Sequence, residues 1–356
     1  MEDLALSSSF WSNKRVLVTG HTGFKGGWLS IWLQRLGADV AGFALPPATD
    51  PSLFTLADVA EGMRSVTGDV RDLEAVSALV NDFRPEIIIH MAAQALVRPS
   101  YADPVETYST NVMGTVNILE AARNCDAVRA VVNVTTDKCY ENLEREEGYR
   151  EDEPLGGHDP YSSSKGCAEL VTASYRRSFS LAVASARAGN VIGGGDWAED
   201  RLLPDMMRSF MSNAVVSIRN PASTRPWQHV LEPLHGYLLL AERLYDDAPK
   251  FAEAWNFGPD DNDAKPVEWL ADRVVSLWGD SASWTNTADS EQPHEAGFLR
   301  LNCDKAKGRL GWKPRMNIDQ ALSWTVEWYR SFQRGENVRA MTEQQISNYE
   351  NGKGLC

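Results

Sequence analysis

The sequence predicts an α/β fold, a doubly wound parallel sheet with a smaller mixed region towards the C-terminal end, on three observations. Short β-branched runs alternate through the first half with stretches whose apolar residues recur at helical spacing. Near the start, a strand-like run passes straight into a glycine-rich turn and then a helical stretch. After about Gly189 the alternation fails. Gly193, Gly194, Gly195 and the prolines Pro204, Pro221, Pro226 and Pro233 interrupt it, and tryptophans become frequent.

The expected strands are Arg15–Thr19, 39–43, Ile87–His90 and Ala130–Val134, with a further one at 181–186 after a long helical stretch. Strand, helix, strand in repetition implies a parallel sheet covered on both faces. Asp103 and Pro104 supply a cap and a first-turn residue for a helix carrying Val105, Tyr108, Val112, Val116 and Leu119 on one face. No internal repeat or low-complexity linker marks a boundary. Residues 1–188 are expected to form the main domain and 189–356 the second region, with segments returning to the main sheet.

Composition narrows the function classes. The 356 residues are too many for one ordinary core, and 43% apolar with 24% charged residues is the balance of a globular protein. A net charge of -14 argues against nucleic-acid binding, which needs clustered basic surface. No run of about 18 apolar residues predicts a membrane span. The start, MEDLALSSSFWSNK, lacks a basic n-region and an apolar h-region, so no signal peptide is expected. Cys125, Cys139, Cys167, Cys303 and Cys356 are odd in number and lack C-x-x-C spacing, which predicts reduced thiols in a cytoplasmic setting and no metal site.

The glycine turn carries the first functional signal. Arg15–Thr19 runs into Gly20-His-Thr-Gly23-Phe-Lys-Gly26 and then the helical stretch 27–36. Glycines let the backbone approach a pyrophosphate, and the helix start offers unpaired N–H groups and a positive dipole end. With a strand before and a helix after, this is a Rossmann-type dinucleotide site. An acidic residue about 20 positions beyond such glycines holds the ribose hydroxyls of NAD. Here 40–44 reads VAGFA, with no carboxylate and no arginine. NAD is favoured over NADP because no local cation is available for a 2′-phosphate.

A second signal is Tyr161 and Lys165 in HDPYSSSK. Asp159 can cap and Pro160 open a helix that places both on one face. A lysine ammonium beside a phenol favours phenolate, so Lys165 is expected to lower the Tyr161 pKa from about 10 and make it a base. Residues 135 to 140, Thr-Thr-Asp-Lys-Cys-Tyr, follow a strand that should end beside them. On residues alone, Asp137 is as readily a helix cap and Lys138 a surface lysine. Asn111 falls mid-helix, where asparagine is a poor choice, and by itself it suggests an exposed position.

The GxxGxxG spacing resembles the extended short-chain dehydrogenase/reductase family. Thr136-Asp137-Lys138 resembles its nucleotide-sugar 4,6-dehydratases, which usually carry Thr-Asp-Glu, and the lysine version resembles the CDP-glucose 4,6-dehydratases. GHTGFKGGW, ALPPATDPSLF, HDPYSSSK, GNVIGGGDWAEDRLLPD, RPWQHVLEPLHGYL, QPHEAGFLRLN and LGWKP extend the resemblance from about residue 15 to 330. It implies that the second region binds the nucleotide sugar. It also implies that Gly20, Thr22, Gly23, Phe24, Lys25, Gly26, Asp69, Val70, Ala92, Ala93, Gln94, Asn111, Tyr161 and Lys165 bind NAD, with Asp69 and Val70 at the adenine. Asn190, Arg201 and Arg225 are implied to bind the substrate diphosphate. The implied chemistry is oxidation at C4 by Tyr161 with NAD, then loss of water from C5 and C6, and reduction at C6. Thr136 holds O4, Asp137 acts as acid, and Lys138 stands where relatives have a glutamate base. A lysine serves there as base with a depressed pKa, or orients a water. Trp197 and Trp227 are expected to pack, and His294 and Glu295 to lie towards the ligand without a firm role. The resemblance further implies a homodimer or higher homo-oligomer through the helices after Asp103 and Asp159. A 4-epimerase or reductase, which needs only the hydroxyl, is the nearest rival. A dehydratase of another nucleotide sugar and a cofactor-binding scaffold are more distant ones.

Overall fold

The computed structural model describes residues 6–279, 282–287 and 298–354, so His294, Glu295 and Cys356 lie outside the described residues. Twelve strands are present among the described residues. They are β1 (Arg15–Thr19), β2 (Asp39–Ala44), β3 (Arg64–Thr67), β4 (Ile87–His90), β5 (Ala130–Val134), β6 (Val183–Ala188), β7 (Asn190–Ile192), β8 (Val216–Ile218), β9 (Thr224–His229), β10 (Ala254–Phe257), β11 (Ala264–Pro266) and β12 (Trp284–Asn286).

Seven strands make the main sheet in the order β10-β6-β5-β4-β1-β2-β3, with every neighbouring pair parallel. The order reverses between β1 and β4, which opens a crevice at the strands' carboxyl ends. β4, β5 and β6 are buried along their whole length, as apolar runs covered on both faces must be. β7, β9 and β11 form a small mixed sheet, and β8 pairs with β12 in another. The doubly wound architecture with a smaller mixed region is therefore the one expected. The second half returns β10 to the edge of the main sheet.

Three local expectations need correction. β3 is absent from the expected strands, because Arg64–Thr67 is a short, largely exposed edge strand without an alternating apolar face. The strand expected at 181–186 is Val183–Ala188, since Leu181 and Ala182 belong to the approach from the preceding helix. The helix after Asp103 is Pro104–Tyr108, a π-helical turn Ser109–Met113 and then Gly114–Arg123. That wider turn moves the register. Asn111, Thr115 and Ile118 face inward, while Val105 is 77% exposed and Tyr108 is also exposed.

Trp28, on the helix Phe24–Arg35 that follows the glycine turn, donates its indole N–H to the Gly194 carbonyl at 2.9 Å. Gly194 itself lies against the Trp328 ring, with room for no Cβ. The helix after the glycine turn and the GGG segment are thus fixed to one another.

Candidate active site

The catalytic segment starts where β5 ends. Thr136 is the N-cap of a short 3₁₀ turn, Asp137–Cys139, and its hydroxyl accepts the Lys138 N–H at 3.3 Å. The same hydroxyl donates to Asp137 Oδ1 at 3.0 Å, and it neighbours the Tyr161 phenol, whose pKa it pulls down against burial. Asp159 caps the helix Pro160–Phe179 by accepting the Ser162 N–H at 2.9 Å, with Pro160 in the first turn. Lys165 follows Tyr161 by one turn and donates its ammonium to the Val134 carbonyl at 3.2 Å. Two segments more than twenty residues apart in the chain meet as one cluster.

A cavity of about 340 Å³ opens on this cluster. Thr136, Asp137, Lys138 and Tyr161 line one part, and Asn190, Arg201 and Arg225 line another. The three residues expected to hold a diphosphate therefore share one space with the reacting groups. Arg201 pairs with the buried Asp196 at 3.0 Å, whose negative charge holds the guanidinium pKa above its usual value. Arg98 and Arg219 line the same cavity and both donate to Asp200 Oδ1, each at 3.2 Å. Sequence reasoning missed Arg98, Asp196, Asp200 and Arg219, and only the GGGDWAED segment held a signal for two of them. Trp197 packs edge-on against Tyr329 at 5.2 Å, while the largely buried Trp227 forms cavity wall.

Electrostatics follow from burial. Asp137 is 2% exposed, and desolvation raises its carboxyl pKa against the opposing pull of Lys138. It is thereby favoured as a proton donor. Tyr161 faces the cavity but lies deep below the outer surface, and burial pushes its phenol up to about 12. The depression expected from Lys165 is therefore not found among the protein's own groups. The reason is that burial outweighs the favourable contacts, and Lys165, itself pushed down to about 8 by burial, aims its ammonium at a backbone carbonyl. Lys25 also lines this cavity, pushed down to about 7 by burial and then by Arg201 and Lys165.

The glycine turn has the shape of a dinucleotide cradle. Gly20 has φ +75°, and a Cβ there would stand 2.8 Å from the Ala92 nitrogen. A Cβ on Gly26 would stand 2.1 Å from the Gly20 carbonyl oxygen. Gly23 caps the helix without any side-chain hydrogen bond, leaving its first N–H groups to an outside acceptor. This bare, tightly folded helix start fits a pyrophosphate. Thr22 reaches the Leu45 carbonyl at 2.8 Å, and Asp69 is forked to Arg71. Val70 is buried beneath Gly114. Asn111 is 1% exposed, against the surface position its residue type suggested. Its amide accepts the Gln94 N–H at 2.9 Å and donates to the Gln94 carbonyl at 3.0 Å and the Ser164 hydroxyl at 2.8 Å. The loop after β4, with Ala92, Ala93 and Gln94, is thus stitched to the catalytic helix.

Comparison with known proteins agrees with this arrangement. The family described as GDP-mannose 4,6 dehydratase matches residues 17–325. The chain belongs to this family. It is 54% identical to the CDP-glucose 4,6-dehydratase of Salmonella typhimurium (strain LT2), over 97% of this chain and 98% of that one. A solved dTDP-glucose 4,6-dehydratase from Streptomyces venezuelae shares the fold with a TM-score of 0.77 and 24% identity, over 90% and 98% of the two chains. The UDP-glucose 4-epimerase of Thermus thermophilus, solved in complex with NAD, gives 0.78 and 25%, over 89% and 99%. A dehydratase and an epimerase share this scaffold, so the fold alone does not distinguish the two activities.

Proposed function

We propose that the protein is an NAD-dependent hydro-lyase converting CDP-glucose to CDP-4-dehydro-6-deoxyglucose. The observation that carries this reading is one cavity lined together by Thr136, Asp137, Lys138 and Tyr161, with the Thr136 hydroxyl bonded to Asp137. An epimerase has no use for the added acid and base. The near-full-length likeness to a CDP-glucose enzyme supports the nucleotide.

Gly20, Thr22, Gly23, Phe24, Lys25 and Gly26 would hold the cofactor pyrophosphate, with Asp69 and Val70 at the adenine end. Bound there, NAD would supply the hydride acceptor for C4 and the donor for C6, and its positive charge would favour the phenolate form of Tyr161. Tyr161 removes the O4 proton while Thr136 holds that oxygen. A C4 ketone makes the C5 proton acidic, and Lys138 accepts it. Asp137 gives its proton to the departing C6 oxygen, which leaves as water. Lys138 returns its proton to C5 as C6 is reduced. Proton balance is closed by passage from Tyr161 to Asp137, for which the Thr136 hydroxyl, bonded to Asp137 and neighbouring the Tyr161 phenol, is the connecting group. Asn190, Arg201 and Arg225 hold the diphosphate, where forked guanidinium contacts suit phosphate oxygens.

The exposed apolar side chains Val105 on the helix Pro104–Tyr108, Met113 on the π-helical turn Ser109–Met113 and Leu170 on the helix Pro160–Phe179 belong to the helical stretches after Asp103 and Asp159. They support a homodimer in which a second copy covers both helices. A deoxysugar of the lipopolysaccharide O-antigen type is the fitting end use, and the cytoplasm the fitting location.

The test is incubation with CDP-glucose and NAD in deuterated water, followed by mass spectrometry. Loss of one water with one deuterium at C5 is expected. A C4 epimer of unchanged formula would assign the protein to the epimerases instead.

A further inference from the structure

A buried ion pair lies behind the catalytic turn and outside the cavity. Glu169, one helical turn beyond Lys165, and Arg187, on β6, are each 3% exposed and 2.8 Å apart. Glu169 Oε2 also accepts the Ser185 hydroxyl at 2.7 Å. Its Oε1 accepts the Thr135 hydroxyl at 2.5 Å. Arg187 donates to the Tyr140 hydroxyl at 2.7 Å and to the Glu151 carbonyl at 3.1 Å. Tyr140 in turn donates to Asn256 Oδ1 at 2.7 Å, and Asn256 donates to the Tyr149 carbonyl at 2.8 Å.

Thr135 immediately precedes the Thr136–Asp137–Lys138–Cys139 turn, and Tyr140 immediately follows it. One carboxylate holds the first flank, one guanidinium holds the second, and the two are bonded to each other. We propose that the Glu169–Arg187 pair is a positioning device, fixing Thr136, Asp137 and Lys138 against Tyr161 by gripping both ends of the segment that carries them.

A buried pair of this kind is a poor source of stability, because desolvation offsets its attraction. What it supplies is direction, since both carboxylate oxygens and both terminal guanidinium nitrogens are hydrogen-bonded in fixed geometry. The carboxylate also sits on the helix that carries Tyr161 and Lys165, so one group references the turn to the base. Its negative charge additionally opposes the effect of burial on the Lys165 ammonium.

This inference rests on the dehydration reading, and the two fail differently. Glu169→Gln would leave a buried guanidinium uncompensated and could unfold the chain, so the flanks are tested instead. T135V and Y140F each remove one hydroxyl at nearly constant shape, and T135S restores the first. The wild type and the three variants are assayed for CDP-glucose dehydration and thermal unfolding. We expect T135V and Y140F to lower kcat by about 10- to 100-fold, the scale of a displacement near 1 Å, with KM nearly unchanged. Tm should fall by no more than about 4 °C, and T135S should recover most of the rate. Wild-type kcat in both T135V and Y140F overturns the positioning role. So does a loss that tracks Tm and is not rescued by T135S, which would make the pair structural only. An inactive wild type would overturn the dehydration reading itself.

Discussion

Replacing Asp137 by asparagine separates the elimination from the oxidation. Asn keeps the side-chain shape, and its carbonyl can still accept the Thr136 hydroxyl that now reaches Oδ1 at 3.0 Å. What is lost is the transferable proton. The carboxyl is 2% exposed and packed against Gly189, where even a Cβ would approach Oδ2 to 2.8 Å, so the substituted side chain keeps its position. A positioned general acid contributes about 10²- to 10⁴-fold, or about 3–5 kcal/mol of transition-state stabilisation. Asp137→Asn should therefore lower the rate of water loss by that factor and leave KM within a small range of wild type. In deuterated water, C5 of unreacted CDP-glucose should still acquire deuterium, because oxidation at C4 and proton removal at C5 do not need this acid. Mass spectrometry of the substrate and product pools reads both rates. Burial raises the Asp137 pKa, so the protonated fraction falls as pH rises, and the basic limb of the wild-type profile should disappear from the variant. Unimpaired water loss in Asp137→Asn would refute its role as the acid, as would loss of C5 exchange in step with elimination.

Gly26→Ala places a Cβ where the Gly20 carbonyl stands, at 2.1 Å, so the cradle must open. Its NAD-induced rise in Tm should vanish, against about 2.7 kcal/mol of stabilisation for a wild type at a hundredfold excess over Kd; a full thermal shift would show that the turn is not the dinucleotide site. Glu232, fully buried beside Tyr349 and the 315–316 backbone, is pushed by burial from an ordinary 4.5 up to about 7. A raised folded-state pKa means that stability is intact below the unfolded value and is lost as pH rises towards 7, by up to about 3 kcal/mol. Glu232→Gln should flatten that decline in denaturant titrations between pH 5 and 8, and an unchanged slope would count against it. Val105→Asp places a charge on a side chain that is 77% exposed on the proposed subunit face. Its mass by light scattering should halve, whereas an unaltered oligomer would place the interface elsewhere.

Much of the site was legible because its chemistry is written in short local patterns. Arg15–Thr19 running into Gly20, Gly23 and Gly26 determined strand, turn and helix start together, since only small residues permit so close a turn. Asp159 and Pro160 determined where the catalytic helix begins, and hence that Tyr161 and Lys165 share a face. The Thr-Asp-Lys segment was legible only through the family resemblance, since by themselves Asp137 reads as readily as a cap and Lys138 as a surface lysine. What only the tertiary structure decided arises from contacts between distant segments. Asn111 is buried because Gln94 and Ser164 converge on it, which no helical propensity foretells. Arg98 and Arg219 come to one aspartate from separate parts of the chain. The Tyr161 pKa also belongs to this class. Sequence placed a lysine one turn away, but the protonation equilibrium depends on desolvation and on where that ammonium points, and both are set by the packed site.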